Sequence, residues 1–381
     1  MSAAAVLTWI EDGQPRAARW RSEAGLPPPK RVVPADDRMR ADRAFALASQ
    51  GTALLWRGDY QNARQMLVAL ARRCDAAAAR TGTPAAPLAA ADFHRLRMAR
   101  AQRARILGML LVPFERGHVI ALRRAPEVGV ACEEVRGAAH ESYVGSLREL
   151  LGIIGAHEWR RRGIEVAALG ATVHPHYGVF APVRGEYVDL VARAPLPGGD
   201  LAFDIGTGTG VLAAVLARRG VARVVATDND ARALACAREN LARLGLAARV
   251  EVREADLFPD GRAALIVCNP PWLPGRAGTP LERAVYDPDS RMLRGFVGAL
   301  AQRLLPGGEG WLILSDLAER IGLRAPEDLQ AMFAAGGLAV VGRLDARARH
   351  PKARDASDPL AAARKHEVTT LWRLAPLGAA P

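Results

Sequence analysis

From residue 187 onward, apolar runs of strand length alternate with amphipathic runs of helical length, and this alternation constrains the fold more than any other feature. The run LAFDIG is followed by GVLAAVLARRG, and ARVVATD is followed by ARALACARENLARLG. Strands that alternate with helices pair in parallel, and the helices cover both faces of the resulting sheet. The sequence therefore predicts a doubly wound α/β domain in this part of the chain.

The chain before residue 163 has a different pattern. Residues 34–74 carry apolar residues at helical spacing, and residues 146–163 form another run of helical length that ends at Gly163. This spacing predicts a mainly α-helical N-terminal domain over residues 1–162, for which we expect a role in substrate recognition. Two short strand-like runs joined by Gly170 predict a β-hairpin that leads the catalytic domain of residues 163–381.

Positive charge is concentrated in the N-terminal half of this 381-residue chain, whose formal net charge is +12. Residues 1–170 hold 26 Arg and Lys against 17 Asp and Glu, whereas residues 171–381 hold 26 against 23. A second basic segment spans residues 343–367. Two explanations remain open, namely a composition rich in arginine and alanine, or a surface that binds nucleic acid or an acidic partner.

Several classes of protein do not fit the sequence. No stretch reaches the ~18 apolar residues of a membrane span, and the N-terminus lacks the basic leader of a secretory signal. The four cysteines form no CxxC pair, and His174 and His176 have no third or fourth ligand near them in sequence. We therefore expect a cytoplasmic protein that has no membrane span, no disulfide framework and no metal site.

The segment FDIGTGTG, residues 203–210, closes the first strand and opens a helix. Doubly wound sheets bind nucleotides at this position. Gly206, Gly208 and Gly210 allow the backbone to turn tightly and a ligand to approach it closely. Because the spacing is GxGxG rather than GxGxxG, a tight strand-to-helix turn without a ligand is the alternative.

Acidic residues follow at the ends of the next strands. Asp228 lies 18 residues beyond Gly210, where a carboxylate can accept both hydroxyls of a ribose. Asp256 ends the third strand and is placed to accept from an adenine amino group, with the backbone of Leu257 beside it for a ring nitrogen. Asp204 precedes the glycine loop, where we expect it to hold a cationic amino-acid group. Acids in this order predict a site for a nucleoside that carries an amino-acid tail.

At residues 267–272, VCNPPW, an apolar run stops at Asn269 and is followed by two prolines and a tryptophan. Proline cannot donate to a β-ladder, so the strand must end here and the chain becomes stiff. The amide oxygen of Asn269 and the carbonyl of Pro270 can each accept an N–H bond from a substrate. Pro271 stiffens the turn, and Trp272 offers a flat face on which a planar group can stack.

The motifs FDIGTGTG, VVATDND, READLF and VCNPPW together resemble the class I S-adenosylmethionine-dependent methyltransferases over residues ~165–320. The resemblance implies a Rossmann-like sheet of seven strands whose last strand, residues 368–376, is antiparallel and pairs with residues 337–345. It also implies S-adenosylmethionine as the cofactor. The cofactor contacts that it implies come from Asp204, Gly206, Gly208, Gly210, Asp228, Asp256, Leu257 and Asn269.

In that family an Asn-Pro-Pro-aromatic motif after the fourth strand is typical of enzymes that methylate a planar, weakly basic nitrogen. The lone pair of such a nitrogen is delocalised, so it attacks a methylsulfonium poorly. Acceptors aimed at its two N–H bonds favour the sp³ geometry of the transition state. The resemblance thus implies catalytic roles for Asn269, Pro270 and Trp272, and substrate contacts from Pro271 and Trp272.

Two subfamilies with different substrates fit the sequence. Glutamine methyltransferases of release factors and ribosomal proteins carry a motif before the glycine loop that Pro182, Arg184 and Glu186 match in part, although Trp272 replaces their usual tyrosine. A substrate contact and an ion pair at the start of a helix both remain open for Arg184 and Glu186. The basic segments favour the second subfamily, which methylates the adenine amino group in RNA. We therefore expect RNA as the partner, with a protein of the translation apparatus as the alternative. A small-molecule methyltransferase and an inactive cofactor- or RNA-binding scaffold are more distant alternatives.

Overall fold

A computed structural model of the protein describes residues 5–80, 90–279, 281–347 and 360–378. The chain divides into two compact units, one of residues 1–84 with 94–158 and one of residues 85–93 with 159–381. The boundary between residues 162 and 163 remains a prediction of where the catalytic domain begins. Among the helices in the described ranges, none is both long and apolar enough to cross a membrane.

The first unit is built on a six-stranded mixed sheet of order β1-β2-β6-β5-β4-β3. The prediction of a mainly helical N-terminal domain did not include this sheet, although helices are present where the spacing indicated them. The sequence pattern missed the run TALLW because all five of its residues are buried, so it lacks the alternation of a half-exposed strand. The strands are β1 (Val6–Glu11), β2 (Gln14–Trp20), β3 (Arg31–Ala35), β4 (Thr52–Trp56), β5 (Leu110–Phe114) and β6 (Tyr143–Ser146).

Within the described part of residues 1–162, five α-helices lie between or after these strands in sequence. They are α1 (Ala41–Ser49), α2 (Tyr60–Arg80), α3 (Ala90–Gly108), α4 (Gly129–Arg136) and α5 (Leu147–Arg162).

The second unit contains the predicted hairpin, in which β7 (Ile164–Val166) pairs antiparallel with β8 (Ala171–Val173). Gly170 precedes β8 in the left-handed conformation, with φ of +55°. The sheet that follows consists of β9 (Leu201–Ile205), β10 (Arg223–Asp228), β11 (Val250–Glu254), β12 (Ala263–Cys268), β15 (Leu304–Ser315), β16 (Leu338–Arg347) and β17 (Val368–Pro376). A short pair of strands, β13 (Leu273–Pro274) and β14 (Tyr286–Asp287), lies between β12 and β15 in sequence.

The seven strands are ordered β11-β10-β9-β12-β15-β17-β16. The first five strands in this order, β11, β10, β9, β12 and β15, are parallel to one another. Strand β17 is antiparallel to both β15 and β16. The predicted seven-stranded sheet with an antiparallel last strand is therefore confirmed. Its helices are α6 (Glu186–Arg193), α7 (Val211–Arg218), α8 (Ala231–Arg243), α9 (Arg291–Arg303), α10 (Leu317–Arg320), α11 (Pro326–Ala335) and α12 (Ala361–Lys365).

Side chains of the central strands alternate between two buried layers. Val224 and Ala226 of β10 pack in the cluster that contains α7 and α8, whereas Val225 packs in the cluster that contains α9 and α11. Both layers are buried because helices cover both faces, which is why these strands read as continuous apolar runs. The doubly wound arrangement is confirmed.

The strand order reverses between β9 and β12, since β10 extends the sheet from one side of β9 and β12 from the other. Ligands of open parallel sheets bind at this switch point, beyond the carboxyl ends of the strands. The glycine loop, Asp256 and Asn269 follow β9, β11 and β12, and Asp228 is the last residue of β10. The fold therefore brings all four to one edge of the sheet.

Gly210 immediately precedes α7 and allows this helix to approach α8 closely. Its φ is +81°, and a Cβ atom at this position would lie 3.3 Å from the Cβ of Ala237. The position therefore requires both a left-handed backbone and the absence of a side chain.

We predict that Gly210→Ala lowers the free energy of unfolding by about 2–4 kcal/mol, because it adds overpacking against α8 to the cost of a left-handed residue. Gly220→Ala is the matched control, since Gly220 has φ of +101° and no heavy atom within 4 Å of its added Cβ. The control should lose only about 1–2 kcal/mol in urea unfolding. Equal losses in both variants would contradict the close approach of the two helices.

Candidate active site

A cavity of about 730 Å³ opens at the carboxyl edge of the seven-stranded sheet. The glycine loop, the acids after β10 and β11, and the Asn-Pro-Pro-Trp corner all contribute to its wall. The volume lies within the range of cavities that bind small molecules and cofactors. The predicted site residues that line it are Arg184, Gly206, Gly208, Asp228, Asp256, Leu257, Asn269, Pro270, Pro271 and Trp272.

The glycine loop is fixed by hydrogen bonds to the end of β10. The amides of Gly206 and Thr207 donate to the carbonyl oxygen of Thr227, at 2.9 and 2.8 Å. The amide of Gly208 donates to Oδ2 of Asp228 at 3.0 Å. Oδ1 of Asp228 accepts from the amide of Asp230 at 3.0 Å, so each carboxylate oxygen keeps capacity for another donor. Burial raises the pKa of the Asp228 carboxyl.

Asp204 does not line the cavity, so its predicted contact with a cationic group is corrected to a positioning role. Its side chain is fully buried, and Oδ2 accepts from the Thr207 hydroxyl at 2.6 Å and from the Ala213 amide at 3.0 Å. These bonds join the glycine loop to the first turn of α7 from beneath. Burial raises the pKa of Asp204 to about 6.

Two more predicted contact residues lie outside the cavity. Gly210 faces α8 instead of a ligand, as described above. Glu186 is buried at the start of α6, and its Oε1 accepts from Nε of Arg184 at 2.8 Å. The two residues form the ion pair that was one of the two alternatives, and Glu186 does not line the cavity.

At the acceptor end of the cavity, the side chains of Trp272 and Asn269 are bonded to each other. The indole Nε1–H of Trp272 donates to Oδ1 of Asn269 at 2.9 Å. This bond fixes which end of the amide faces the tryptophan, and Oδ1 retains a second lone pair. The corner thus presents a positioned oxygen acceptor.

Arg184 covers part of the tryptophan. Its Cζ lies 5.2 Å from the centroid of the Trp272 ring, within the range of a cation–π contact. The guanidinium is held between Glu186 and Glu367, with Nη2 3.2 Å from Oε2 of Glu367. Oε1 of Glu367 also accepts from the Ser315 hydroxyl at 2.6 Å. A planar group on that side of Trp272 would therefore meet the guanidinium, while the stacking role of Trp272 remains a prediction.

The structure adds cavity residues that the sequence pattern did not single out. Arg291 forms an ion pair with Asp256, and Nη1 of Arg283 lies 4.0 Å from Oδ2 of Asp230. Arginines therefore lie beside two of the acidic residues that line the cavity. Asp230 is the last residue of the quoted motif VVATDND, which could have indicated it. Further lining residues include Trp159, Tyr187, Met292, Arg364 and Glu367.

The basic segment 343–367 falls partly outside the described residues, which exclude 348–359. Arg364 and Glu367, near its end, line the cavity.

The two histidines are hydrogen-bonded within the protein. Nδ1 of His174 bonds to the Arg160 carbonyl at 2.6 Å, and Nε2 of His176 bonds to Glu239 at 2.8 Å. The described ranges contain no group of three or more His, Cys, Asp or Glu side chains placed to hold a metal ion.

The sheet order and the glycine loop at the switch point define a doubly wound domain of Rossmann-like architecture. Residues 172–320 match the family described as the methyltransferase small domain, which confirms the resemblance to S-adenosylmethionine-dependent methyltransferases and S-adenosylmethionine as the cofactor of this domain. The match covers under half of the chain.

Relatives of known name act on different substrates. The chain is 36% identical to the release factor glutamine methyltransferase of Cereibacter sphaeroides, over 43% of this chain and 57% of the relative. It is 32% identical to the ribosomal RNA small subunit methyltransferase C of Chromohalobacter salexigens, over 49% of this chain and 54% of the relative. It is 33% identical to the ribosomal protein L11 methyltransferase of Sorangium cellulosum, over 40% of each. The chain thus spans about half the length of the curated relatives that it matches.

Among solved structures, the chain is similar to an S-adenosylmethionine-dependent methyltransferase from Thiobacillus denitrificans in complex with S-adenosyl-L-homocysteine. The TM-score is 0.36 and the sequence identity 17%, over 52% of this chain and 92% of the other.

We predict that Asp204→Asn flattens the dependence of stability on pH between about 4 and 6. The folded pKa of Asp204, about 6, is above the ordinary value near 3.8, so the folded state binds the proton more tightly than the unfolded state. Wild-type stability should therefore fall as pH rises through this window, and the variant should lack that fall. Urea unfolding at pH 4.5, 6 and 7.5 measures the difference between the two slopes, and identical slopes would contradict the raised pKa.

Proposed function

We propose that this protein is an S-adenosylmethionine-dependent N-methyltransferase that acts on a planar sp² nitrogen. One observation carries the proposal: the Asn-Pro-Pro-Trp corner and the glycine loop with Asp228 line the same cavity. The donor set fits the cofactor. Carboxylates at two strand ends suit ribose hydroxyls and an adenine amino group, and the cavity has space for an acceptor beside them.

When bound, the cofactor supplies an electrophilic methyl group. The role of the corner is to aim the acceptor nitrogen. The free lone pair on Oδ1 of Asn269 and the carbonyl of Pro270 accept its two N–H bonds, so that the nitrogen lone pair points toward the methyl. Both acceptors become better partners as the nitrogen gains positive charge, which stabilises the transition state more than the ground state. With the methyl donor bound, the methylated nitrogen would release one of its protons to water, and the oxygens of Asn269 and Pro270 would hold its N–H bonds until then.

As the finer proposal, the acceptor is the adenine amino group of an RNA. Bases in RNA stack on aromatic rings and on arginine planes, and the cavity presents Arg184 against Trp272. Other arginines line the cavity as well, and the N-terminal half carries most of the net positive charge. A ribosomal RNA methyltransferase is among the relatives.

A protein glutamine amide is the second candidate. The observation that favours it is the likeness to release factor glutamine methyltransferases, together with the partial match at Pro182, Arg184 and Glu186. An amide presents two N–H bonds to the corner just as an adenine amino group does. The candidates therefore differ in the macromolecule and not in the transfer step.

The test is transfer of radiolabelled methyl groups from S-adenosylmethionine into extracts from cells that lack the protein, followed by separate RNase and protease digestion. Label released by RNase, and recovered as a methylated adenine on hydrolysis, is the expected result. Label released only by protease would replace RNA with the glutamine substrate. No transfer into either fraction would contradict the proposed activity.

We predict that Asn269→Ala and Asp228→Ala separate catalysis from cofactor binding. Asn269→Ala should reduce methyl transfer about 10²–10³-fold while calorimetry shows unchanged affinity for S-adenosylhomocysteine, because it removes a transition-state acceptor only. Asp228→Ala should abolish that affinity, because it removes the ribose acceptor. Normal turnover by the first variant, or normal binding by the second, would contradict the assigned roles.

We also predict that Trp272→Phe lowers kcat about tenfold, because it keeps an aromatic ring but removes the indole N–H that orients the Asn269 amide. The affinity for S-adenosylhomocysteine should not change. Trp272→Leu is the comparison, since it removes both the donor and the ring and should also raise KM for the acceptor. A kcat of wild-type size in the Phe variant would show that the hydrogen bond does not position the acceptor oxygen.

A further inference from the structure

Leu257 has an unusual backbone conformation for a branched residue. Its φ is +75°, in the left-handed region that side chains other than glycine rarely adopt. Such strain persists where neighbouring contacts fix the conformation, and it occurs often at ligand sites. Leu257 lines the cavity next to Asp256. Within the described ranges no group accepts a hydrogen bond from the Leu257 N–H, so this donor remains free for a ligand.

Two contacts hold Leu257 in this conformation. Its carbonyl oxygen accepts from Oγ1 of Thr227 at 2.6 Å. Its side chain packs against α9 at Gly295, where an added Cβ would lie 2.7 Å from Cδ1 of Leu257. Thr227 is fully buried in β10, so its hydroxyl has no competing solvent partner.

We propose that Thr227 is a positioning residue for the cofactor's adenine, acting through the backbone conformation of Leu257; this inference rests on the proposed function. The hydroxyl fixes the carbonyl of the peptide that follows Leu257. The left-handed backbone of Leu257, with φ of +75°, relates this peptide to the preceding one, which carries the Leu257 N–H, so the two contacts together set the direction of that N–H. Together with the Asp256 carboxylate, this N–H forms a donor and an acceptor on neighbouring residues of one cavity wall.

That pair complements the amino edge of adenine. The adenine amino group donates and the adjacent ring nitrogen accepts, which matches a carboxylate acceptor beside an N–H donor. Hypoxanthine reverses both positions, since its exocyclic C6 carbonyl oxygen accepts and its ring N1–H donates. A wall fixed in this way should therefore bind an adenosyl ligand more tightly than its inosyl counterpart.

The experiment compares the affinities of S-adenosylhomocysteine and S-inosylhomocysteine for the full-length protein, measured by calorimetry. Thr227→Val keeps the shape of the side chain but removes the donor. We expect it to bind S-adenosylhomocysteine about tenfold more weakly and S-inosylhomocysteine as before, so that the preference shrinks. Thr227→Ser, which keeps a hydroxyl, should restore the wild-type preference.

Comparing the two ligands separates a role of Thr227 in adenine recognition from a role in holding the glycine loop. The Thr227 carbonyl, which accepts from the amides of Gly206 and Thr207, is present in every variant. A general loosening of the site would weaken both ligands by the same factor and would overturn the inference, as would an unchanged preference in Thr227→Val. Circular dichroism verifies folding, and Thr227→Ala replaces the valine variant if that one does not fold. Failure of the wild type to bind S-adenosylhomocysteine would instead overturn the proposed function.

Discussion

The amides of Gly206 and Thr207 both donate hydrogen bonds to one acceptor, the carbonyl oxygen of Thr227. Because Thr227 belongs to β10, a neighbouring strand sets the position of the glycine loop. The side chain of the next residue, Asp228, also holds the loop, because its Oδ2 accepts from the Gly208 amide. The Thr227 hydroxyl reaches the Leu257 carbonyl after the following strand. Two consecutive residues thus join the ends of three strands, which is possible because parallel strands end at one edge of the sheet.

The C-terminal sheet could be predicted because its strands and helices differ in local apolar pattern. The buried central strands read as short apolar runs, and the helices between them as amphipathic runs. The N-terminal sheet could not be predicted in this way. Residues 52–56 are buried at every position and are followed closely by a helix, so they resemble part of a helical apolar face. Pro34 within residues 31–35 further weakens the strand signal there.

At the candidate site, the sequence indicated which residues lie close together, but not which of their side chains point into the cavity. Asp204 and Asp228 are both acids near the glycine loop, yet Asp204 lies beneath the loop and Asp228 lines the cavity. That difference depends on side-chain direction and burial, which spacing alone does not contain. The contact of Arg184 with Glu367 joins residues 183 positions apart, so no local window could show it. Roles that follow from residue type were predictable, and those that follow from long-range packing were not.

The connection between β16 and β17 has a consequence for how such a chain can diversify. Both strands pair along their length, so the connection can vary while the sheet edge remains intact. Yet its last residue before β17, Glu367, anchors the guanidinium that lies over Trp272. A change in the residues just before β17 would therefore disturb the contact of Arg184 with Trp272. The hydrogen bonds that fix the glycine loop to β10 involve none of these residues. Under the proposed function, the choice of acceptor could therefore change while the residues that bind the methyl donor stay the same.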